Sequence, residues 1–97
     1  MVTELAQFTA QPGMAEALEQ GLRAAMAVIQ RGVGCRAIRL RRCVEDANIF
    51  LYEIEWETLE HHTVTFRGGP LFAEYRAHIN GLFVDPVNVR HYQLVDG

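Results

Sequence analysis

The stretch NIFLYEIEW, residues 48 to 56, alternates strictly from Ile49 onward and constrains the chain more than any other segment. Phe50, Tyr52, Ile54 and Trp56 fall on one side of an extended strand, and Ile49, Leu51, Glu53 and Glu55 on the other. The all-apolar side requires a cover. CRAIRLRRC, residues 35 to 43, is a second strand, and the turn residues EDAN between the two make a hairpin. A one-residue slip would exchange the two faces of a strand, so burial selects the register. Ile38 opposite Ile54 and Leu40 opposite Tyr52 keeps apolar with apolar and sets Arg39 opposite Glu53. Cross-strand charge pairing then accounts for the four arginines crowded into the second strand.

The flanking segments supply the cover. VTELAQFT, Val2 to Thr9, reads as a first strand with Val2, Glu4, Ala6 and Phe8 on one face. After Pro12 and Gly13, apolar residues at Met14, Leu18, Leu22, Ala25 and Ile29 draw one stripe along a helix that runs to Gln30. RGVG ends it with a left-handed glycine. Thr58 is the expected N-cap of a short helix from Leu59 to Phe66, which RGGP breaks. Pro70 suits the first position of a further helix whose buried side is Phe72, Tyr75, Ile79 and Leu82, ending at Gly81 and Asp85-Pro86. VNVRHYQLV, Val87 to Val95, is the fourth strand. The order βαββαβ gives an α+β, ferredoxin-like fold, a four-stranded antiparallel sheet with helices on one face.

A chain of 97 residues is one domain, residues 1 to 97, and buries only about 60 to 65% of its unfolded surface. Its open sheet face is half apolar, so a homodimer is expected over it. The net charge of −3 argues against polyanion binding, and the open face carries Glu53 and Glu55 where RNA-recognition sheets present aromatics. No nucleic-acid partner is expected. The longest apolar run, AAMAVI, is far short of the roughly 18 residues that span a bilayer, and the N-terminus lacks the pattern of a signal peptide. A cytoplasmic protein without membrane contact is expected. Cys35 and Cys43 lie in one strand roughly 26 Å apart, too far to pair, and fit no metal motif.

Trp56 ends the apolar face of its strand where a cavity can open beneath short broken helices. His62 follows on the next helix, and Arg76 shares a helix face with Phe72 and Ile79, an unusual place for a permanent charge. Glu4 is the carboxylate offered to Arg76. His61 points about 100° away from His62, toward solvent, and His91 is given a surface or capping role. The adjacent histidines cannot chelate one metal from a helix, and no metal site is expected.

The PG before the first helix, the GC opening the second strand, EWETLEHH, GGPLF and the HY of the last strand together resemble the antibiotic biosynthesis monooxygenase family, in order and spacing, over nearly the whole chain. The resemblance implies a dimeric α/β barrel and, by its anthrone-oxidising branch, oxidation of a reduced aromatic small molecule by O2 without metal or organic cofactor. Trp56 and Arg76 fall on that branch's pocket tryptophan and arginine. His62 stands where the branch has a tyrosine, Tyr52 where it has an asparagine, and Arg42 where it has a second-strand histidine. The haem-degrading branch needs an asparagine, a tryptophan and a histidine at Glu4, Phe66 and Arg76, which excludes it. The expected catalytic residues are His62 as base or proton relay, with Arg76 and Tyr52 stabilising an anion. Trp56, Phe66, Phe72, Tyr75 and Arg42 are the expected substrate contacts. Isomerisation of a small carbonyl compound, or binding without catalysis, are the alternatives.

Overall fold

The computed structural model describes all 97 residues and has the expected order: β1 Val2–Thr9, α1 Ala15–Gln30, β2 Cys35–Arg42, β3 Ile49–Trp56, a π-helical turn His61–Phe66, α2 Pro70–Ala77 and β4 Asn88–Tyr92. The strands form one antiparallel sheet in the order β2-β3-β1-β4. No helix is long and apolar enough to cross a membrane.

The β2-β3 register is the one that burial selects. Ile38 faces Ile54, Leu40 faces Tyr52 and Arg39 faces Glu53. Glu53 receives both Arg41 at 3.1 Å and Arg39 at 3.8 Å, exposed contacts that contribute at most about 1 kcal/mol each. The helix side of the sheet holds the core, with Phe8, Phe50, Tyr52 and Trp56 against Leu18, Leu22 and Ile29 of α1. The opposite side, with Leu5, Ile49 and Leu51 half-buried among the charged residues, is uncovered in the single chain.

Three local expectations are corrected, and the left-handed glycine expected in RGVG is found. The Leu59–Phe66 segment is π-helical from His61, closed by Arg67 N–H donating to His62 O at 3.0 Å. This wider turn keeps His62 and Phe66 inward and leaves Leu59 exposed, although Thr58 does cap the segment through the His61 N–H at 3.2 Å. His61 is half-buried, its Nδ1 2.9 Å from Thr58 Oγ1 and its ring packed on Gly34. The left-handed glycine of RGVG is Gly34 (φ 84°), where a Cβ would stand 2.4 Å from the His61 ring. β4 ends at Tyr92, because Tyr92 already faces Thr3 and β1 has almost no residues left to pair with Leu94 and Val95.

The backbones of α1 and α2 meet at Gly21, where a Cβ would lie 2.4 Å from His78 O. Gly21→Ala would gain about 1 kcal/mol of helix propensity yet force the helices apart. We expect a net loss of about 1–3 kcal/mol in urea denaturation; equal or greater stability would mean that the end of α2 moves aside freely.

Candidate functional site

β1 and β3 lie side by side with Val2 facing Trp56 and Glu4 facing Ile54, so their inner faces converge under the π-helical turn and α2. A cavity of about 280 Å³ lies there, close to the lower end of ligand pockets. Seven of the expected site residues line it: Tyr52, Trp56, His62, Phe66, Phe72, Tyr75 and Arg76. His62 stacks on Trp56 with ring centres 5.3 Å apart and 16° between planes, and Phe66 and Tyr75 continue the aromatic wall.

Arg42 does not join them. It faces Phe50, six positions along β3 from Trp56, and its guanidinium is held by Glu16 and Glu19 at 3.1 Å each and by Ala47 O at 2.8 Å. Three acceptors and the Phe50 ring, 4.9 Å away, satisfy the charge far from the cavity. Tyr52 contributes its ring only. Its hydroxyl donates to Leu22 O inside the core, and burial keeps it protonated, so it is unavailable to an anion in the cavity. Tyr75 is the cavity tyrosine whose hydroxyl no protein group engages, and burial likewise keeps it a donor.

Arg76 lacks the expected partner. No carboxylate lies within salt-bridge distance; the guanidinium sits over Phe83 at 4.9 Å and Phe72 at 5.7 Å, and its buried Nε has no hydrogen-bond partner. Glu4 turns to other groups. Trp56 Nε1–H donates to Glu4 Oε1 at 2.9 Å, and His62 Nε2 stands 3.3 Å from the same oxygen. On its other side, His62 Nδ1 lies 2.7 Å from His91 Nε2, which replaces the surface role expected of His91. Arg67, next to the π-helical turn, also borders the cavity. Glu4, Arg67 and His91 were not among the expected site residues. The signal for Glu4 was present, a lone carboxylate in the apolar stripe Val2-Ala6-Phe8.

The Glu4–His62 contact has ion-pair distance, but its surroundings disfavour charge on both partners. Burial, opposed by the Trp56 hydrogen bond and by Arg67, pushes the Glu4 carboxyl up to about 7. Burial, then Arg67 and His91, pushes the His62 imidazole down to about 4. These shifts act on stability with opposite signs. Native Glu4 holds its proton more tightly than the unfolded chain does, so its contribution is present below pH 4.5 and is lost as pH rises toward 7. Native His62 holds its proton less tightly, so its contribution grows between pH 4 and 6.5. Glu4→Gln removes the first alone. Relative to wild type, the variant should gain about 2 kcal/mol as pH rises from 4.5 to 7, measured by denaturation across that range; a constant difference would place the Glu4 carboxyl in the ordinary range.

The family model described as antibiotic biosynthesis monooxygenase matches residues 1–78. The uncharacterized protein YczJ of Bacillus subtilis (strain 168) is 32% identical over 93 residues, 96% of this chain and 98% of its own. Among solved structures, a proposed antibiotic biosynthesis monooxygenase from Bordetella bronchiseptica superposes with a TM-score of 0.91 at 32% identity, covering 97% of this chain and 96% of that one. A variant of SnoaB, a cofactor-independent oxygenase from Streptomyces nogalater, superposes with a TM-score of 0.79 at 18% identity, covering 99% and 94%, a likeness of fold.

Proposed function

Since the chain belongs to the antibiotic biosynthesis monooxygenase family, we infer that its cavity oxidises a reduced aromatic substrate, a hydroquinone or an anthrone-like phenol, with O2. The observation that carries this reading is an aromatic-walled cavity that combines an unpaired cation, Arg76, with the buried acid–base pair Glu4 and His62. Such a substrate needs little else. Loss of its hydroxyl proton to the pair leaves an electron-rich anion, which Arg76 and the Tyr75 hydroxyl stabilise. The anion passes one electron to O2, the resulting radical and superoxide combine to a peroxide anion, and the pair returns a proton to give the hydroperoxide. Loss of water then leaves a carbonyl, so that one oxygen atom enters the product and the other leaves as water. Trp56, Phe66 and Phe72 exclude solvent from these steps.

The reading includes a homodimer over the open sheet face, where Leu5, Ile49 and Leu51 await cover and where a small domain gains buried area. Sedimentation should give twice the chain mass, and Leu51→Arg should return the protein to monomer; a wild-type monomer would remove this part of the reading.

Oxygen uptake by the purified protein over a panel of hydroquinones and anthrones, corrected for autoxidation, tests the function. Uptake well above background that His62→Ala abolishes is the expected result. The same acid–base pair beside a cation also suits isomerisation of a small carbonyl compound, or the cavity binds without turnover. Ligand-induced quenching of Trp56 with no oxygen consumed across the panel would favour these.

A further inference from the structure

The polar contacts at the inner end of the cavity run in one direction. Glu4 Oε1 carries both of its protein contacts, Trp56 Nε1–H and His62 Nε2, and Oε2 is left for a ligand. His62, 4% exposed, continues through Nδ1 to His91 Nε2, and His91 on β4 is half-exposed. The three groups do not converge on a point as metal ligands would. They connect in sequence, Glu4 to His62 to His91, with Glu4 and His91 at paired positions of β1 and β4 and His62 reaching both from the π-helical turn.

We propose that Glu4 is the proton acceptor of this cavity and that His62 and His91 carry its proton to solvent. The inference deepens the oxygenase reading, on which its place in turnover rests. The substrate O–H bond breaks, its electron pair stays on the substrate oxygen, and the proton joins the Glu4 carboxylate. The Glu4 proton then passes to His62 Nε2, the His62 Nδ1 proton to His91 Nε2, and the His91 Nδ1 proton to water. The first step spans the 3.3 Å Glu4–His62 contact and the second the 2.7 Å His62–His91 hydrogen bond, so neither imidazole stores a charge. Both rings finish in the opposite tautomer, and they are restored when one proton returns from solvent by the same path, through Glu4, to the peroxide anion formed with O2.

The surroundings of Glu4 support this division of roles. Around it stand Trp56 and Tyr52 from β3, Cys35 from β2, His62 from the π-helical turn, Arg67 beyond it, Tyr75 and Arg76 from α2, Asp85 from the loop before β4 and His91 from β4. Arg67 favours the carboxylate and disfavours a cationic imidazole at both His62 and His91. With Glu4 up at about 7 and His62 down at about 4, Glu4 is matched to take a proton near neutrality and His62 to pass one on without keeping it.

The first test uses the resting protein without substrate, with carboxyl-13C glutamate and 15N histidine followed by NMR from pH 4 to 9. The expected result is a Glu4 midpoint near 7 and a change of tautomer at both His62 and His91 with that same midpoint, absent in Glu4→Gln. A Glu4 midpoint near 4.5, or histidines that keep one tautomer throughout, would overturn the proposal. This outcome does not depend on whether the cavity consumes oxygen. If the titration holds and no substrate is oxidised, the oxygenase reading fails and the relay stands. With an oxidised substrate in hand, His91→Ala should slow kcat about tenfold and added imidazole should restore it. Unchanged turnover in His91→Ala, or a loss that imidazole does not repair, would overturn the role of His91.

Discussion

Arg76→Met should lower kcat/KM for oxygen consumption by at least about 100-fold while leaving stability within about 1 kcal/mol of wild type. The two halves of this expectation have one cause. Arg23, Arg31, Arg36, Arg39, Arg41 and Arg42 all have glutamate partners, and Arg67 and Arg90 are exposed to water. Arg76 alone is half-buried with no carboxylate, its Nε unpartnered and its charge resting on the faces of Phe72 and Phe83. Those two cation–π contacts stabilise it by roughly 0.5–2 kcal/mol each, which offsets a desolvation cost of similar size. Methionine keeps the length and apolar stem, so the fold loses little. An anion forming in the cavity loses its only adjacent cation on α2, and a single well-placed donor is worth about 100- to 1,000-fold at such a site. Urea denaturation beside oxygen-uptake kinetics checks both halves. A variant that unfolds readily and retains its turnover would make Arg76 a structural residue.

Trp56→Ala should lower stability by about 3–5 kcal/mol, a large part of the roughly 5–15 kcal/mol that holds a small domain folded. Trp56 is 0% exposed, stacked on His62 and tilted against Phe66, so the truncation opens a void beside the cavity that the strand cannot close. It also removes the donor to Glu4. Trp56→Phe separates these effects by keeping most of the ring and losing only Nε1–H. The Trp56 hydrogen bond favours the carboxylate, so the phenylalanine variant should titrate Glu4 above about 7 while retaining most of the stability. Denaturation midpoints and the 13C carboxyl titration measure the two; an unmoved Glu4 midpoint would mean that burial alone holds its pKa.

The aromatic half of the site was legible in the chain. Trp56 sits on the period-2 apolar face of β3, Phe66 recurs four residues after His62, and Phe72 and Tyr75 share the inner side of α2, so burial of each element brought them together. The β2-β3 register excludes Arg42 from the site. The register that pairs Ile38 with Ile54 also sets Arg42 opposite Phe50, about 20 Å along the strand from Trp56. Glu4 and His91 were not legible as partners of His62. They lie 58 and 29 residues from it, and each breaks its local pattern as a single polar residue, which periodicity reads as an exception.

Periodicity and turn chemistry settle the elements, their order and the β2-β3 register, because side-chain alternation and the demand that one face leave water act within a few residues. They place Glu4, Trp56 and His62 on inward faces and go no further. Tertiary structure alone decided that the Glu4 carboxyl is dry, that His62 reaches it on one side and His91 on the other, and that Arg76 has no counter-charge. Desolvation and hydrogen bonding at one atom depend on groups from β1, β3, the π-helical turn, α2 and β4 arriving together, and no local pattern encodes that convergence.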